Sequence, residues 1–284
     1  MKHAYLILAH NEFGLLQTLV SCLDDARNDI YVHIDRKVAS LPSLQAAAAG
    51  LTLIDRRIDV RWGDYSMVEA EYALFEAALA RGPYAYYHLL SGVDLPLKSQ
   101  DYIHRFFAAR QGREFIGYSL TSLTPELSQR MQRWHLFPRH FSRHRNGYSV
   151  VRALFVRLQK VLGIRRNRQV DFKKGTQWVS ITQALAEYVL AQKDWARRTF
   201  THTFVPDECL MQTLAWMSPF RSQLYNTDSD AEGCLRAIGW RDGELIDWCA
   251  ADYPELEASP ALFARKFNSQ DPAFIERIVA LSQA

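Results

Sequence analysis

Short apolar runs that end in polar residues alternate with helix-spaced segments through the first half of the chain. Ala4–Ala9 reads as a buried strand, and a helical stretch follows over Leu15–Leu23. Asp29–Asp35 reads as a second strand through Ile30, Tyr31, Val32 and Ile34, and Leu51–Asp55 as a further short one. The clearest helix covers Ser66–Arg81, where Met67, Ala70, Leu74, Phe75 and Ala78 recur at helical spacing and Ser66 with Glu69 forms a capping-box pattern. Tyr84–Ser91 and Glu114–Tyr118 are the next strands. After an irregular middle, Gln177–Thr182 reads as a strand, Gln183–Gln192 as a helix, and Pro206-Asp207-Glu208 opens a helix through Leu210, Leu214 and Met217. Strands alternating with helices predict an α/β fold with a mostly parallel central sheet flanked by helices. Such sheets bind ligands at the carboxyl ends of their strands. His10, Asn11, Asp35 and Asp94 stand there and are the first site candidates.

A chain of 284 residues that is 48% hydrophobic suits one large domain, or one with a small appendage. A formal net charge of +3 names no partner. The four cysteines, Cys22, Cys209, Cys234 and Cys249, fit no zinc spacing and no dense disulfide framework, so free thiols in a reducing compartment are expected. The opening apolar run is too short to span a bilayer and polar residues follow it at once, so a cytoplasmic location is expected. Charge concentrates in one place. Between residues 130 and 174 lie Arg130, Arg133, Arg139, Arg143, Arg145, Arg152, Arg157, Lys160, Arg165, Arg166, Arg168 and Lys173, with Asp171 the only acid. Two explanations stay open: a solvated helix-and-loop insertion, or a basic surface for an anionic polymer or the anionic face of a membrane. Nucleic acid is the weaker partner, because no recognised nucleic-acid module accompanies the charge.

GxGxxG, GxxxxGK[ST], HExxH and GxSxG are all absent, which argues against dinucleotide oxidoreductases, P-loop NTPases, zincins and the common hydrolase elbow. What remains is an ordered set of phrases: Leu6-Ile7-Leu8-Ala9-His10-Asn11, Val32-His33-Ile34-Asp35, Trp62-Gly63-Asp64-Tyr65-Ser66, Leu90-Ser91-Gly92-Val93-Asp94-Leu95-Pro96-Leu97-Lys98, Lys174-Gly175-Thr176-Gln177-Trp178, Val205-Pro206-Asp207-Glu208, Leu235-Arg236-Ala237-Ile238 and Phe263-Ala264-Arg265-Lys266-Phe267. In this order and spacing the chain resembles the core-2/I-branching N-acetylglucosaminyltransferases and their peptide O-xylosyltransferase relatives, in a bacterial-type form. The resemblance covers nearly the whole chain and fades in the basic middle.

That resemblance implies a GT-A-like fold over residues 1–284, with a nucleotide-binding half over about 1–120 and an acceptor-binding, catalytic half over about 121–284. It implies an inverting transfer without a metal or other cofactor, the UDP-sugar being substrate. Asp228-Ser229-Asp230, the one DxD present, lies late in a polar stretch and reads as a turn. Glu208 matches the family's catalytic base, which takes the proton of the attacking hydroxyl. A helix N-terminus there would favour its carboxylate, and a plain helix start is the alternative. Asp207 reads as the cap. Arg236 and Lys266 match the diphosphate clamp that a metal-free transfer needs on the departing UDP, with ordinary surface charge as the alternative and Arg265 as a neighbour easily confused with Lys266. Leu8 (through its backbone), Asp35 and Trp62 match uridine-holding positions, with core filling the alternative for Trp62. Asp94, Gln177 and Trp178 match a sugar-lining region, against a turn role for Asp94 and burial for Trp178. His10 and His33 stay outside the catalytic set.

One departure bears on the acceptor. The glutamate with which the branching enzymes grip their acceptor sugar falls on Gly117 here, so their acceptor does not carry over. The implied reaction moves GlcNAc or xylose to a hydroxyl of a glycan, lipid-linked sugar or peptide, with peripheral contact to an anionic membrane. The rivals are a non-catalytic nucleotide-sugar or carbohydrate-binding module and a nucleic-acid-binding protein using the Arg-rich middle.

Overall fold

The computed structural model describes residues 1–141, 144 and 146–283; Arg143 and Arg145 of the basic segment lie outside the described residues. The strands are β1 His3–Ala9, β2 Asn28–Ile34, β3 Gly50–Leu53, β4 Tyr86–Ser91, β5 Asp94–Pro96, β6 Phe115–Ile116, β7 Val179–Thr182, β8 Arg236–Ile238, β9 Trp240–Arg241, β10 Glu244–Leu245 and β11 Phe263–Arg265. The helices are α1 Phe13–Cys22, α2 Ser66–Leu79, α3 Gln100–Ala108, α4 Pro125–Met131, α5 Gly147–Val161, α6 Gln183–Ala191, α7 Lys193–Phe200, α8 Leu210–Trp216, α9 Asp230–Cys234, α10 Tyr253–Ala258 and α11 Pro272–Leu281.

The main sheet has six strands in the order β3-β2-β1-β4-β7-β6. Its first four are parallel, and β7 runs antiparallel to both β4 and β6. β1 is buried on both faces, which is why it reads as an unbroken apolar run rather than an alternating one. Tyr5, Ile7 and Ala9 enter one core with α1, α3 and α11, while Ala4 and Leu6 enter the other with α2, α6 and α8. The expected α/β class, with a mostly parallel sheet between helices, is what forms. A second sheet, β5-β11-β8, packs at one end. All four cysteines are free. Among the described residues no helix is long and apolar enough to cross a membrane.

Three local expectations fail. Ser66 caps nothing: it is the first residue of α2, its hydroxyl accepts the Arg61 N–H at 2.9 Å, and the Ser66 N–H instead donates to the Asp64 carboxylate at 3.3 Å. The capping pattern was displaced because the loop before α2 needed the hydroxyl more. Pro206–Glu208 is a separate 3-10 turn, entered through Val205 at φ 55°, and α8 starts only at Leu210. Asp228-Ser229-Asp230 is less a turn than a helix start: Ser229 caps α9, and Asp230 points inward to accept the Thr176 N–H at 2.9 Å.

Three backbones converge at Gly117, Gly175 and Gly233. A Cβ on Gly175 would stand 1.9 Å from the Gly117 carbonyl oxygen, and one on Gly117 would stand 2.1 Å from an Asp230 carboxylate oxygen. Position 117 therefore excludes any side chain, the glutamate of the branching enzymes included. Gly175→Ala is expected to destabilise the protein by about 2 kcal/mol or more, since backbone rather than a side chain must yield. Gly14→Ala, in α1 with nothing within 4 Å of the new Cβ, is expected to be neutral or stabilising by about 0.5–1 kcal/mol. Urea unfolding of the two variants checks this; equal midpoints would refute the crossing.

Candidate active site

The parallel strands end together. Asp35 N–H donates to the Ala9 carbonyl at 2.9 Å and Gly92 N–H to the Leu8 carbonyl at 2.8 Å, so the ends of β1, β2 and β4 form one edge. Leu8 sits at that edge half-buried, with its carbonyl committed to Gly92. Asp35 is buried, and its carboxylate accepts both the backbone N–H and the ammonium of Lys37, at 2.8 and 2.6 Å. Lys37 also pairs with Asp59, which binds Arg61 and Arg139 as well. His33 is structural: its Nε2 accepts the Ile58 N–H at 2.8 Å, and burial lowers its pKa to about 4.

β7 runs back along β4 with Ser180 opposite His88, which brings Trp178 to the carboxyl end of β4. There the Arg265 guanidinium lies 4.3 Å over the Trp178 ring and its Nε donates to Asp94 at 3.2 Å. Asp94 is fully buried and also accepts the Ser91 N–H and hydroxyl, so it both pins the turn after β4 and orients Arg265. Lys266 is half-buried beside it, its ammonium 2.9 Å from Asp247.

Arg236 departs from the expectation that it clamps a diphosphate. It is 0% exposed and donates to the Cys234 carbonyl at 2.8 Å, the Val179 carbonyl at 3.2 Å and the Ser180 hydroxyl at 3.0 Å, with its guanidinium 4.5 Å over Phe263. Its Nε has no partner among the described residues, but a side chain sealed at 0% exposure does not reach a ligand at the surface. The cation that reaches the edge is Arg265, which the sequence offers only as a neighbour of Lys266.

Glu208 stands in a second wall of side chains. Arg130, on α4, donates to the Phe204 and Val205 carbonyls at 3.2 and 3.0 Å and to Glu208 Oε2 at 3.0 Å. Lys174 approaches the same oxygen at 3.8 Å. Oε1 is hydrogen-bonded to none of the described residues, and the side chain is 36% exposed, so one oxygen is fixed and the other is presented. Trp62 belongs to this wall. It is 40% exposed and meets Phe204 edge to face at 5.5 Å, while Gly63 accepts the Val205 N–H at 2.9 Å.

Beneath Glu208 lies a buried acidic pair. Asp207 is no cap; its Oδ1 finds no partner among the described residues, and burial, with the Glu208 charge, pushes its pKa up to about 7. Glu71, from the middle of α2, is raised by burial and by Asp207, and is held by one bond from Gln177 Nε2 at 2.6 Å. Gln177 and Trp178 thus join the two walls: one grips the acids under Glu208, and the other carries Arg265. Arg130 and Glu71 escape sequence reasoning, one lost among the arginines of the middle segment and the other on the inner face of an ordinary helix.

Residues 3–272 match a family model described as Core-2/I-Branching enzyme. The chain is 23% identical over 271 residues to "Xylosyltransferase sqv-6" of Caenorhabditis briggsae, a match that takes in 84% of this chain and 31% of that protein. It therefore spans about a third of that relative's length. Mouse Xyloside xylosyltransferase 1, in its apo form, superposes with a TM-score of 0.36 at 9% identity, over 93% of this chain and 96% of that one.

Asp207 gives the protein a measurable pH signature. Between its ordinary value of 3.8 and about 7 the folded state holds a proton that the unfolded chain has lost. Its contribution to stability is therefore full at acid pH and is lost as pH rises through that window. Asp207→Asn is expected to gain on the parent between pH 5 and pH 8 by on the order of 2 kcal/mol. Glu114, likewise raised to about 7 by burial, is present in both proteins and cancels. Denaturant unfolding at the two pH values reads the difference, and a gap that does not change with pH would rule out the buried charge.

Proposed function

The chain belongs to the core-2/I-branching enzyme family, a family of glycosyltransferases, and we propose that it is an inverting, metal-independent transferase that moves GlcNAc or xylose from a UDP-sugar to a hydroxyl. Its fold is read as GT-A-like and its residues 1–284 as a single catalytic domain. The acceptor is a glycan, a lipid-linked sugar or a peptide.

The observation that carries this reading is the state of Glu208. Its Oε2 is tethered by Arg130 at 3.0 Å, and its Oε1 is hydrogen-bonded to none of the described residues. In the proposed step Oε1 takes the proton of the acceptor hydroxyl while that oxygen bonds to the anomeric carbon. The bond from that carbon to the UDP oxygen breaks, and UDP leaves with the electron pair. Charge grows on the diphosphate as it departs. Arg265 and Lys266 are the cations proposed to meet that charge, and Asp94 and Asp247 set their orientation. Arg236 supports them from inside the core rather than by contact. Trp62, 40% exposed, is the residue read as stacking on uracil, an interaction of about 1–3 kcal/mol. Asp35 with its Lys37 partner faces the ribose, and Leu8 lies at the same edge.

Glu208→Gln is expected to keep UDP-sugar binding and to lose about 10²–10⁴-fold in turnover. Full transfer activity in that variant would refute the assignment. Binding and slow hydrolysis of a UDP-sugar panel in EDTA, then with manganese, tests the metal-free class: binding that needs manganese overturns it. Lys266→Gln is expected to weaken donor binding without moving the unfolding midpoint. Arg236→Lys is expected to cost about 2 kcal/mol or more of stability, since buried acceptors lose their fork of donors. An unchanged midpoint for Arg236→Lys would return Arg236 to the surface clamp.

A further inference from the structure

Helix α5 turns its apolar side outward. It buries Val156 and Gln159, and Gln159 is spent on the Trp134 backbone, accepting its N–H at 2.9 Å and donating to its carbonyl at 2.8 Å. Val150, Val151, Leu154, Leu158, Val161 and Leu162 follow one another at helical spacing on the opposite side. Leu154 is 60% exposed, Leu158 52%, Val161 81% and Leu162 61%. Single exposed apolar residues need no explanation, but a continuous stripe marks a surface that something covers.

The charge around the stripe says what. Arg157, Lys160, Arg165 and Arg168 are exposed beside it and form no ion pair with a described residue. Between Glu126 and Asp171 the chain carries no acid at all. Other cations of the segment are turned inward: Arg130 to Glu208, Arg133 to the Gln159 carbonyl, Arg166 to the end of α7, Lys173 to the Thr121 carbonyl. The outward ones are thus a selected subset that borders the apolar stripe. A second copy of the chain would set these cations against themselves. A soluble anionic polymer would meet the charge and leave the leucines in water. An anionic bilayer meets both, with headgroups for the cations and acyl chains for the stripe.

We propose that α5 seats this protein on an anionic lipid surface, lying in the headgroup layer with Leu154, Leu158 and Val161 toward the acyl chains. A groove of about 640 Å³ runs along α5 and is lined on its other side by Phe204, four residues before Glu208. The docked helix and the Glu208 turn therefore share one side of the molecule. The inference stands apart from the sugar-transfer reading, because vesicle binding is measured without donor or acceptor.

The test is flotation of the full chain with vesicles of phosphatidylcholine alone or mixed with phosphatidylglycerol. The wild type is expected to float with the anionic vesicles about tenfold better than with the neutral ones, and to be released by high salt. L154E/L158E, at positions already exposed, is expected to lose about tenfold of that binding at an unchanged unfolding midpoint. R157Q/K160Q is expected to lose the preference for anionic lipid. No flotation of the wild type, or flotation of both variants like the wild type, overturns the proposal. So does a concentration-dependent dimer that L154E/L158E dissolves without any vesicle binding, which would make the stripe a contact between copies. Heparin binding equal in wild type and L154E/L158E, with no flotation, would mark a polymer surface instead.

Discussion

Burying the guanidinium of Arg236 removes a full charge from water, and the bonds and ring contact its neighbours supply offset that cost, although its Nε is left without a partner among the described residues. The neighbours belong to separate parts of the chain. Its terminal N–H groups go to β7 and to Cys234 at the end of α9, and its face lies on Phe263 of β11. The Ser180 hydroxyl that it binds also meets His88 Nδ1 at 2.8 Å, and His88 Nε2 meets His3 Nδ1 at 3.0 Å. A line of polar groups thus crosses the core from β8 through β7 and β4 to β1. Burial lowers the pKa of both imidazoles, that of His3 to about 3, so Arg236 carries the charge of the line and the histidines pass hydrogen bonds along it. This network fastens the small sheet to the large one.

The site follows from that fastening. Once β11 is fixed against β8 and β5, the residue that ends it, Arg265, falls on Trp178 and Asp94 at the carboxyl edge of the main sheet, and Lys266 comes next to it. An aromatic face and two carboxylates hold the two cations in place. The second wall follows another rule. A short 3-10 turn replaces the first turn of a helix, and a single arginine spans the turn's carbonyls and the carboxylate it presents. Packing Asp207 and Glu71 in the dry space beneath leaves an acidic pair whose orphaned oxygens are stable only while a proton is retained. Among the described residues Gln177 is the one side chain that bonds into it, and its neighbour Trp178 carries Arg265, so the acid pair and the cation are coupled through adjacent residues.

The strands of the main sheet, the helices over Leu15–Leu23, Ser66–Arg81 and Gln183–Gln192 and the sheet edge were legible in the sequence because they rest on local periodicity. Ala4–Ala9 is apolar without interruption because both faces are covered, and Ser66–Arg81 repeats at a helical period along its length. The phrases from Leu6 to Phe267 were enough to assign the family. The misreadings are those in which a local pattern had a distant competitor. The Ser66 hydroxyl was taken by Arg61, and the helix start expected at Pro206 became a turn anchored by Gly63 and Arg130.

What the sequence determined by itself is therefore the α/β layering, the family and the identity of the acid presented by the Pro-Asp-Glu turn. Tertiary structure alone decided which charges face the cleft. Arg236 and Lys266 look alike in sequence, yet one is sealed in the core and the other stands at the edge. Arg130, 78 residues from Glu208, is one cation among many until folding sets them 3.0 Å apart. Burial and charge pairing depend on neighbours brought in from distant segments, and periodicity along one segment carries no record of them.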